Sequence, residues 1–330
     1  MRNLVTDVPG LRVGHADDAK LASGLTAIVF DRAATASIAI HGGAPGVRDT
    51  ALLEPEMTVE AVDAIVLSGG SAFGLDGMGG AMAALAGRGR GFAVGAARVP
   101  IVPGAVLFDL ANGGDKAWGR RPPYWEFGHA AVEAAALDFA LGSVGAGLGA
   151  TTADLKGGLG SASAATARGF VVGALAAVNA LGQATVGDGA HFWASPYERG
   201  GEFGGLGLPA FGLGGAPPFR TKGTAPVNTT VCVVATDAAL TKAQCKRLAV
   251  VAQGGLALAL RPAHAALDGD VVFAAATGSH PRVPTTRDLT EIGALAAETL
   301  ARAVARGVYE AAALPFPGAM PSWRDRFARA

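Results

Sequence analysis

A series of short Val- and Ala-rich runs, each bounded by turn residues, constrains this chain more than any other feature. They are Val99–Val102, Ala105–Leu110, Phe170–Ala177, Thr229–Thr236 and Asp270–Thr277, with shorter apolar runs at Leu25–Phe30 and Ala64–Leu67. A strand buried on both faces reads as a near-continuous apolar run, whereas a strand with one wet face alternates. Between the runs lie segments of helical period. Leu75, Met78, Met82 and Leu85 recur at helical spacing within Ser71–Leu85, and Trp125–Leu141 is a second candidate. Thr241–Leu258 opens with Thr241 and Gln244, a pair that can cap a helix start reciprocally. Asp288–Tyr309 places Ile292, Leu295, Thr299, Leu300, Val304 and Val308 on one face. The pattern predicts sheets covered by helices on their outer faces, not a solvent-facing sandwich, and no internal repeat is evident.

Composition narrows the function classes. Lys plus Arg total 27 and Asp plus Glu total 27, for a net charge of zero. A sequence-blind nucleic-acid binder needs a cationic surplus to displace counterions, so no nucleic-acid partner is expected. The longest uncharged apolar stretch, Gly169 to Gly187, carries Asn179, Gln183, Thr185 and several glycines, and fails as a membrane span. Residues 1–20 hold Asp7, Asp17 and Asp18 and no apolar signal-peptide core. Cys232 and Cys245 are too few for a disulfide framework, which points to a reducing compartment. The expectation is a soluble, cytoplasmic protein without a membrane partner.

Glycine is over-represented, at 49 of 330 residues. From Gly187 to Gly223, 11 of 37 residues are glycine, interspersed with Pro196, Pro209, Pro217 and Pro218. So long a segment without periodicity is expected to be a functional loop or a linker. It leads to Pro226-Val227-Asn228-Thr229-Thr230, where a strand begins at once. The 228/229 junction is therefore a candidate processing point. Other glycines, at Gly42-Gly43, Gly69-Gly70 and Gly157-Gly158, are expected at strand ends and turns around a site.

Thr229 at that junction can be an ordinary strand-initiating β-branched residue. The sharper reading is that it attacks the Asn228 carbonyl, undergoes an acyl shift and becomes an N-terminal nucleophile whose own amine serves as base. Asp268-Gly269-Asp270 precedes a strand; residues two apart share a face in extended chain, so both carboxylates can enter one site and split their titrations. A solvated Asp-Gly turn is the plainer alternative. Asn179 interrupts an apolar stretch, and its amide can make a structural hydrogen bond or donate to an oxyanion. The six histidines show no metalloprotease spacing with a glutamate. There is no P-loop, no complete dinucleotide fingerprint and no Gly-x-Ser-x-Gly elbow. A site without metal or cofactor is the expectation.

Read together, Val13-Gly-His-Ala16, Gly42-Gly-Ala-Pro-Gly46, Ser68-Gly-Gly-Ser-Ala-Phe-Gly-Leu-Asp76, Val106-Leu-Phe-Asp109, Lys156-Gly-Gly-Leu-Gly160, Asn228-Thr-Thr230, Ala235-Thr-Asp-Ala238 and Asp268-Gly-Asp270 resemble one family. It is the DmpA-like self-processing aminopeptidases, which include the L-aminopeptidase/D-esterases, the β-peptidyl aminopeptidases and the nylon-oligomer hydrolases. The resemblance runs from about residue 8 to 310. It implies an α/β fold, a four-layer αββα sandwich of N-terminal-nucleophile type with DmpA-type connectivity. It also implies one domain cleaved into residues 1–228 and 229–330, a homotetramer, and short peptide or amino-amide substrates. Thr229 matches the nucleophile, Asp268 and Asp270 the activating pair, and Asn179 the oxyanion-hole amide.

Two positions depart from the nylon-oligomer branch, although the Asn-Thr-Thr junction is that branch's. Phe108 stands where those enzymes have tyrosine. A lysine near their nucleophile corresponds here to Asp154 or, after a two-residue shift, to Lys156, so Phe108 and Lys156 are candidate substrate-contacting residues. The resulting expectation is an N-terminal threonine hydrolase releasing N-terminal residues from peptides, amino amides or esters. Acyl transfer of the ornithine acetyltransferase type, endo-amidase activity on nylon oligomers and an uncleaved binding protein are the rivals.

Overall fold

The computed structural model describes residues 1–211, 215–222 and 228–327. The expected loop residues 212–214 and Gly223 to Val227 lie outside the described residues. In chain order the first half contains β1 (Leu11–Asp18), β2 (Ser23–Ile40), β3 (Gly46–Arg48), β4 (Ala61–Ser68), α1 (Gly77–Gly87), β5 (Phe92–Val94), β6 (Ala97–Val99), β7 (Gly104–Val106) and α2 (Tyr124–Glu133). The second half contains β8 (Gly158–Ala165), β9 (Val171–Asn179), β10 (Thr229–Thr236), α3 (Lys242–Ala252), α4 (Gly254–Ala259), β11 (Val271–Ala276), α5 (Thr286–Tyr309) and α6 (Trp323–Phe327).

The long strand β2 organises the sheet. Its first half pairs with β1 on one edge and β4 on the other, and its last residues pair with β11. The register with β4 breaks between Val29 and Ala34, where Asp31, Arg32 and Ala33 turn to solvent. Strand order is β3-β7-β4-β2-β11-β10-β9-β8, with β1 added on β2. β2 thus runs from one leaf, β1-β2-β4-β7-β3, into a second, β2-β11-β10-β9-β8.

The leaves pack face to face. Ile28, Phe30, Ile65 and Leu67 of the first meet Leu175, Val231, Val233 and Phe273 of the second in one apolar core. The outer face of the first leaf packs under α1 and α2 through Leu25, Val66, Met78 and Leu85. The outer face of the second packs under α3, α4 and α5 through Val172, Ala174, Cys232, Val234 and Leu300. This is the expected αββα sandwich. Along β10, Val231, Val233 and Ala235 enter the inter-sheet core while Cys232 and Val234 face helices, so both faces are dry and the sequence reads as an unbroken run. Each fully buried valine contributes roughly 1.5–3 kcal/mol.

Several elements differ from expectation for local reasons. The Trp125–Leu141 helix ends at Glu133, because Ala136 exchanges backbone hydrogen bonds with Val13 at 3.0 Å each way. The runs at 99–102 and 105–110 yield only the short β6 and β7, since Pro100 and Pro103 lack the N–H a ladder needs. Among the described residues after Gly187, the stretch from Phe192 to Phe203 is anchored in a way its composition does not predict. Phe192 and Phe203 pack edge-on at 5.5 Å and join a cluster with Tyr309 and Trp323, while Glu202 accepts Arg302 and Asn3. Isolated aromatic and ionic anchors leave no periodic signal. The reciprocal cap at Thr241 and Gln244 forms as predicted, with the Gln244 N–H donating to Thr241 Oγ1 at 3.2 Å. Among the described residues, no helix is long and apolar enough to cross a membrane.

Candidate active site

Thr229 is the first residue of β10 and pairs across the ladder with Asn179, the last of β9. The antiparallel register sets both residues at one end of the sheet. Thr229 is buried, and its hydroxyl donates to the carbonyl oxygen of Asn228. The same oxygen accepts the backbone N–H of Gly269 at 3.1 Å. Gly269 has to be glycine: a Cβ there would fall 2.5 Å from Thr229 Oγ1 and 2.8 Å from the Ala44 carbonyl. Gly42 similarly admits the 268–270 backbone, since its Cβ would stand 2.2 Å from Asp270 N. The Gly42-Gly43 and Gly69-Gly70 pairs do sit around this site, whereas Gly158 lies against the Gly307 carbonyl of α5.

Asp268 and Asp270 flank Gly269 with their carboxyl groups toward each other. Asp270 is fully buried; its Oδ1 accepts the Thr230 N–H at 3.0 Å and its Oδ2 the His264 N–H at 2.8 Å. Asp268 accepts the Gly269 N–H at 3.1 Å and the Leu181 N–H at 3.4 Å. Burial and the neighbouring Asp270 charge push the Asp268 carboxyl up to about 8. Two carboxyls in so dry a place cannot both ionise easily, and Asp268 is the one held as the acid.

Asn179 joins the threonine to the opposite wall. Its Nδ2 donates to the Phe108 carbonyl at 2.9 Å, and its Oδ1 accepts the Thr151 N–H at 3.0 Å and Asn112 Nδ2 at 3.2 Å. A third donor to that oxygen is the Lys222 ammonium at 3.0 Å. Burial drives the Lys222 amine down to about 7, against the pull of Asp268 and Asp109. Lys156 is placed otherwise than its candidate role requires. Its Nζ is spent on the carbonyls of Gly147, Ala150 and Gly157, at 3.0, 2.8 and 2.7 Å, which uses all three ammonium donors and leaves none for a substrate. The lysine beside the Asn179 amide is Lys222, which the sequence does not single out because 43 residues separate the two.

A cavity of about 190 Å³ opens on Thr229, lined by Ala44, Pro45, Ser71, Leu75 and Phe108 among others. Ser71 adopts φ +51°, a left-handed conformation a side chain rarely takes. The loop is pinned there by Asp109, whose Oδ1 accepts the Gly70 N–H at 2.8 Å and whose Oδ2 accepts Ser23 Oγ at 2.6 Å. Burial raises the Asp109 carboxyl, with the Ser23 and Gly70 hydrogen bonds opposing. His264, Lys222, Asn112 and the Gly269 N–H were not legible as site groups, since only the folded chain gathers them.

The sequence matches the description of peptidase family S58 over residues 3–319. The chain belongs to peptidase family S58. This S58 chain is 43% identical over 347 aligned positions to a Mycobacterium tuberculosis protein described as an uncharacterized aminopeptidase, covering 98% of each chain. A Mycobacterium leprae protein with the same description is 39% identical, covering 96% of this chain and 95% of its own. In fold the S58 chain is similar to a Burkholderia sp. beta-aminopeptidase, with a TM-score of 0.70 at 22% identity over 99% of this chain and 92% of that one. It is also similar to the L-aminopeptidase D-Ala-esterase/amidase of Ochrobactrum anthropi, described as a variant of the Ntn hydrolase fold. That TM-score is 0.68 at 20% identity, over 99% and 90% of the two chains. Membership places this chain among aminopeptidase-type hydrolases.

Proposed function

We propose that this chain is an N-terminal threonine hydrolase that activates itself by cutting between Asn228 and Thr229. The Thr229 hydroxyl adds to the Asn228 carbonyl carbon, the C–N bond breaks, and the nitrogen takes the hydroxyl proton, leaving an ester. Water then cleaves the ester to an Asn228 carboxylate and restores the hydroxyl. The freed Thr229 amine, with an ordinary pKa of about 7.7–8, is suited to accept the proton of its own hydroxyl in later turnovers. A substrate amide or ester carbonyl is attacked in the same way, the amine leaves, and water releases the acyl group.

The observation that carries this reading is the placement of Thr229 Oγ1 against the Asn228 carbonyl while Gly269 N–H donates to that carbonyl's oxygen. A backbone donor aimed where negative charge develops is what an acyl-transfer site needs. Asp270, with two backbone donors, is the ionised partner, and Asp268 the protonated one. Asn179, opposite Thr229 in the ladder, is the second oxyanion candidate, its amide nitrogen being a donor at the same end of the sheet. The small, mainly apolar cavity suits the acyl residue of a short peptide, amino amide or amino ester with a free N-terminal amine.

The test is intact-mass analysis of purified protein beside Thr229→Ala, followed by release of p-nitroaniline from aminoacyl p-nitroanilides. Two fragments meeting at 228/229 and activity only in the cleaved protein are expected. One intact chain after prolonged incubation would overturn the reading.

A further inference from the structure

His264 lies outside every motif singled out in the sequence, yet both its backbone N–H and its ring meet Asp270 of the acid pair. It follows Pro262 in the loop before β11 and adopts φ +57°, a conformation that costs a non-glycine residue energy unless its surroundings enforce it. Two contacts to a single atom do so. The His264 backbone N–H donates to Asp270 Oδ2 at 2.8 Å, and the imidazole Nδ1 stands 3.3 Å from the same oxygen. The other ring nitrogen, Nε2, lies 3.2 Å from the Gln253 carbonyl oxygen.

The ring chemistry follows from these neighbours. A carbonyl oxygen only accepts, so Nε2 carries a hydrogen. Nδ1 then either turns a lone pair toward a carboxylate or carries a second proton and pairs with it. The 3.3 Å approach is an ion-pair distance rather than an aligned hydrogen bond, and beside a carboxylate it favours the imidazolium through charge. The charged and titratable groups around it divide cleanly. Asp270 attracts the imidazolium, with Asp268 behind it. On the far side are His41, whose ring meets His264 edge-on at 5.3 Å, and Lys246 of α3, itself paired with Glu54 at 2.8 Å. Burial favours the neutral ring, but the Asp270 contacts outweigh it, and the His264 imidazole titrates above its ordinary value. His41 is pushed the opposite way, by burial and by the His264 charge.

We propose that His264 is a positioning residue of the acid pair: its N–H and imidazolium together fix Asp270 as the ionised carboxylate and so leave the shared proton on Asp268. This rests on the reading of Asp268 and Asp270 as the pair serving Thr229. The side chain is 23% exposed while that of Asp270 is fully buried, so the imidazole is also the pair's link to solvent.

The experiment uses full-length protein carrying Thr229→Ala, with ¹³C-labelled aspartate carboxyls titrated by NMR in this parent and in its His264→Gln form. Glutamine keeps an N–H donor without the charge. Loss of a nearby cation raises the first deprotonation of the pair by about one pH unit. Superimposable carboxyl titrations in the two proteins would overturn the proposal, whatever the activity. In the Thr229 protein, His264→Gln is expected to lower kcat about tenfold while KM stays within about twofold. An unchanged kcat, or a loss confined to KM, would also count against it. His264→Ala serves as a second substitution, and thermal melts of each variant separate misfolding from the electrostatic effect. If the Thr229 protein neither cuts itself nor turns over substrate, the nucleophile reading fails, and the carboxyl titration still decides the role of His264.

Discussion

The Gly269 N–H and the Asn228 carbonyl oxygen, 3.1 Å apart, join the acid loop to the residue before β10. The donor sits between the two aspartates in sequence, so the turn that supplies the acid pair also supplies a hydrogen bond to the bond proposed to break. Replacing Gly269 by Ala puts a Cβ 2.5 Å from Thr229 Oγ1 and displaces both partners. Self-cleavage of Gly269→Ala, followed as fragment appearance by mass spectrometry, is expected to slow by about 10²–10³, the usual loss for one oxyanion donor.

Thr229→Ala is expected to remain a single chain and to lose activity by at least about 10³-fold, since nucleophile and base reside on one residue. Thr229→Ser keeps the hydroxyl and is expected to cut. A gel of both variants against time makes the comparison, and cleavage of the alanine form at the same junction would defeat it.

Lys222 is the third donor to Asn179 Oδ1. Lys222→Met removes it and leaves the Thr151 and Asn112 donors in place. A lost hydrogen bond of about 1–1.5 kcal/mol predicts self-cleavage roughly tenfold slower, with a melting temperature close to that of the parent. Cleavage at the parent's rate would show that the amide is oriented without the lysine.

Asp268 gives a stability test with a definite sign. Its folded-state pKa, about 8, lies above the ordinary 3.8, so the folded chain holds this proton more tightly than the unfolded chain does. That contribution is complete below about pH 4 and is lost as pH rises through 8. The uncleaved Thr229→Ala protein is therefore expected to lose melting temperature across this window, with Asp268→Asn flattening the decline. Parallel curves for the two proteins would rule out Asp268 as the source.

Glu202 gives the opposite case. Burial alone would raise its carboxyl, but the hydrogen bonds from Arg302 and Asn3 hold it below its ordinary value. Its contribution is present above about pH 4.5 and disappears as pH falls through the lowered pKa. Glu202→Gln leaves the buried Arg302 without its counter-charge, a change that costs about 3–5 kcal/mol. Denaturant melts at neutral and acidic pH should converge only at the acidic end.

What the sequence made legible follows physical lines. β9, β10 and β11 read as apolar runs because both of their faces are covered, and α5 because its stripe is long and regular. β8, Gly-Leu-Gly-Ser-Ala-Ser-Ala-Ala, carries almost no strand propensity. It is a strand because α5 lies so close that a Cβ on Gly160 would meet the Ala303 carbonyl at 1.9 Å. In the site, position and residue type singled out Thr229, Asn179 and the two aspartates as candidates, each with a plain structural alternative, and their roles came from the family resemblance. His264, Lys222 and Asn112 were not singled out, because a loop histidine, a loop lysine and a loop asparagine each have a commonplace surface explanation until the fold brings them to the same few atoms.

The strand order has a consequence for what a cut at 228/229 would produce. β10 and β11 belong to the downstream piece, yet they lie between β9 and β2 of the upstream piece, and α5 covers β8 and β9. Neither fragment owns a complete sheet. Scission would therefore yield a nicked protein whose halves complement one another as one cooperative folding unit. Dilution should not part them, and only unfolding should.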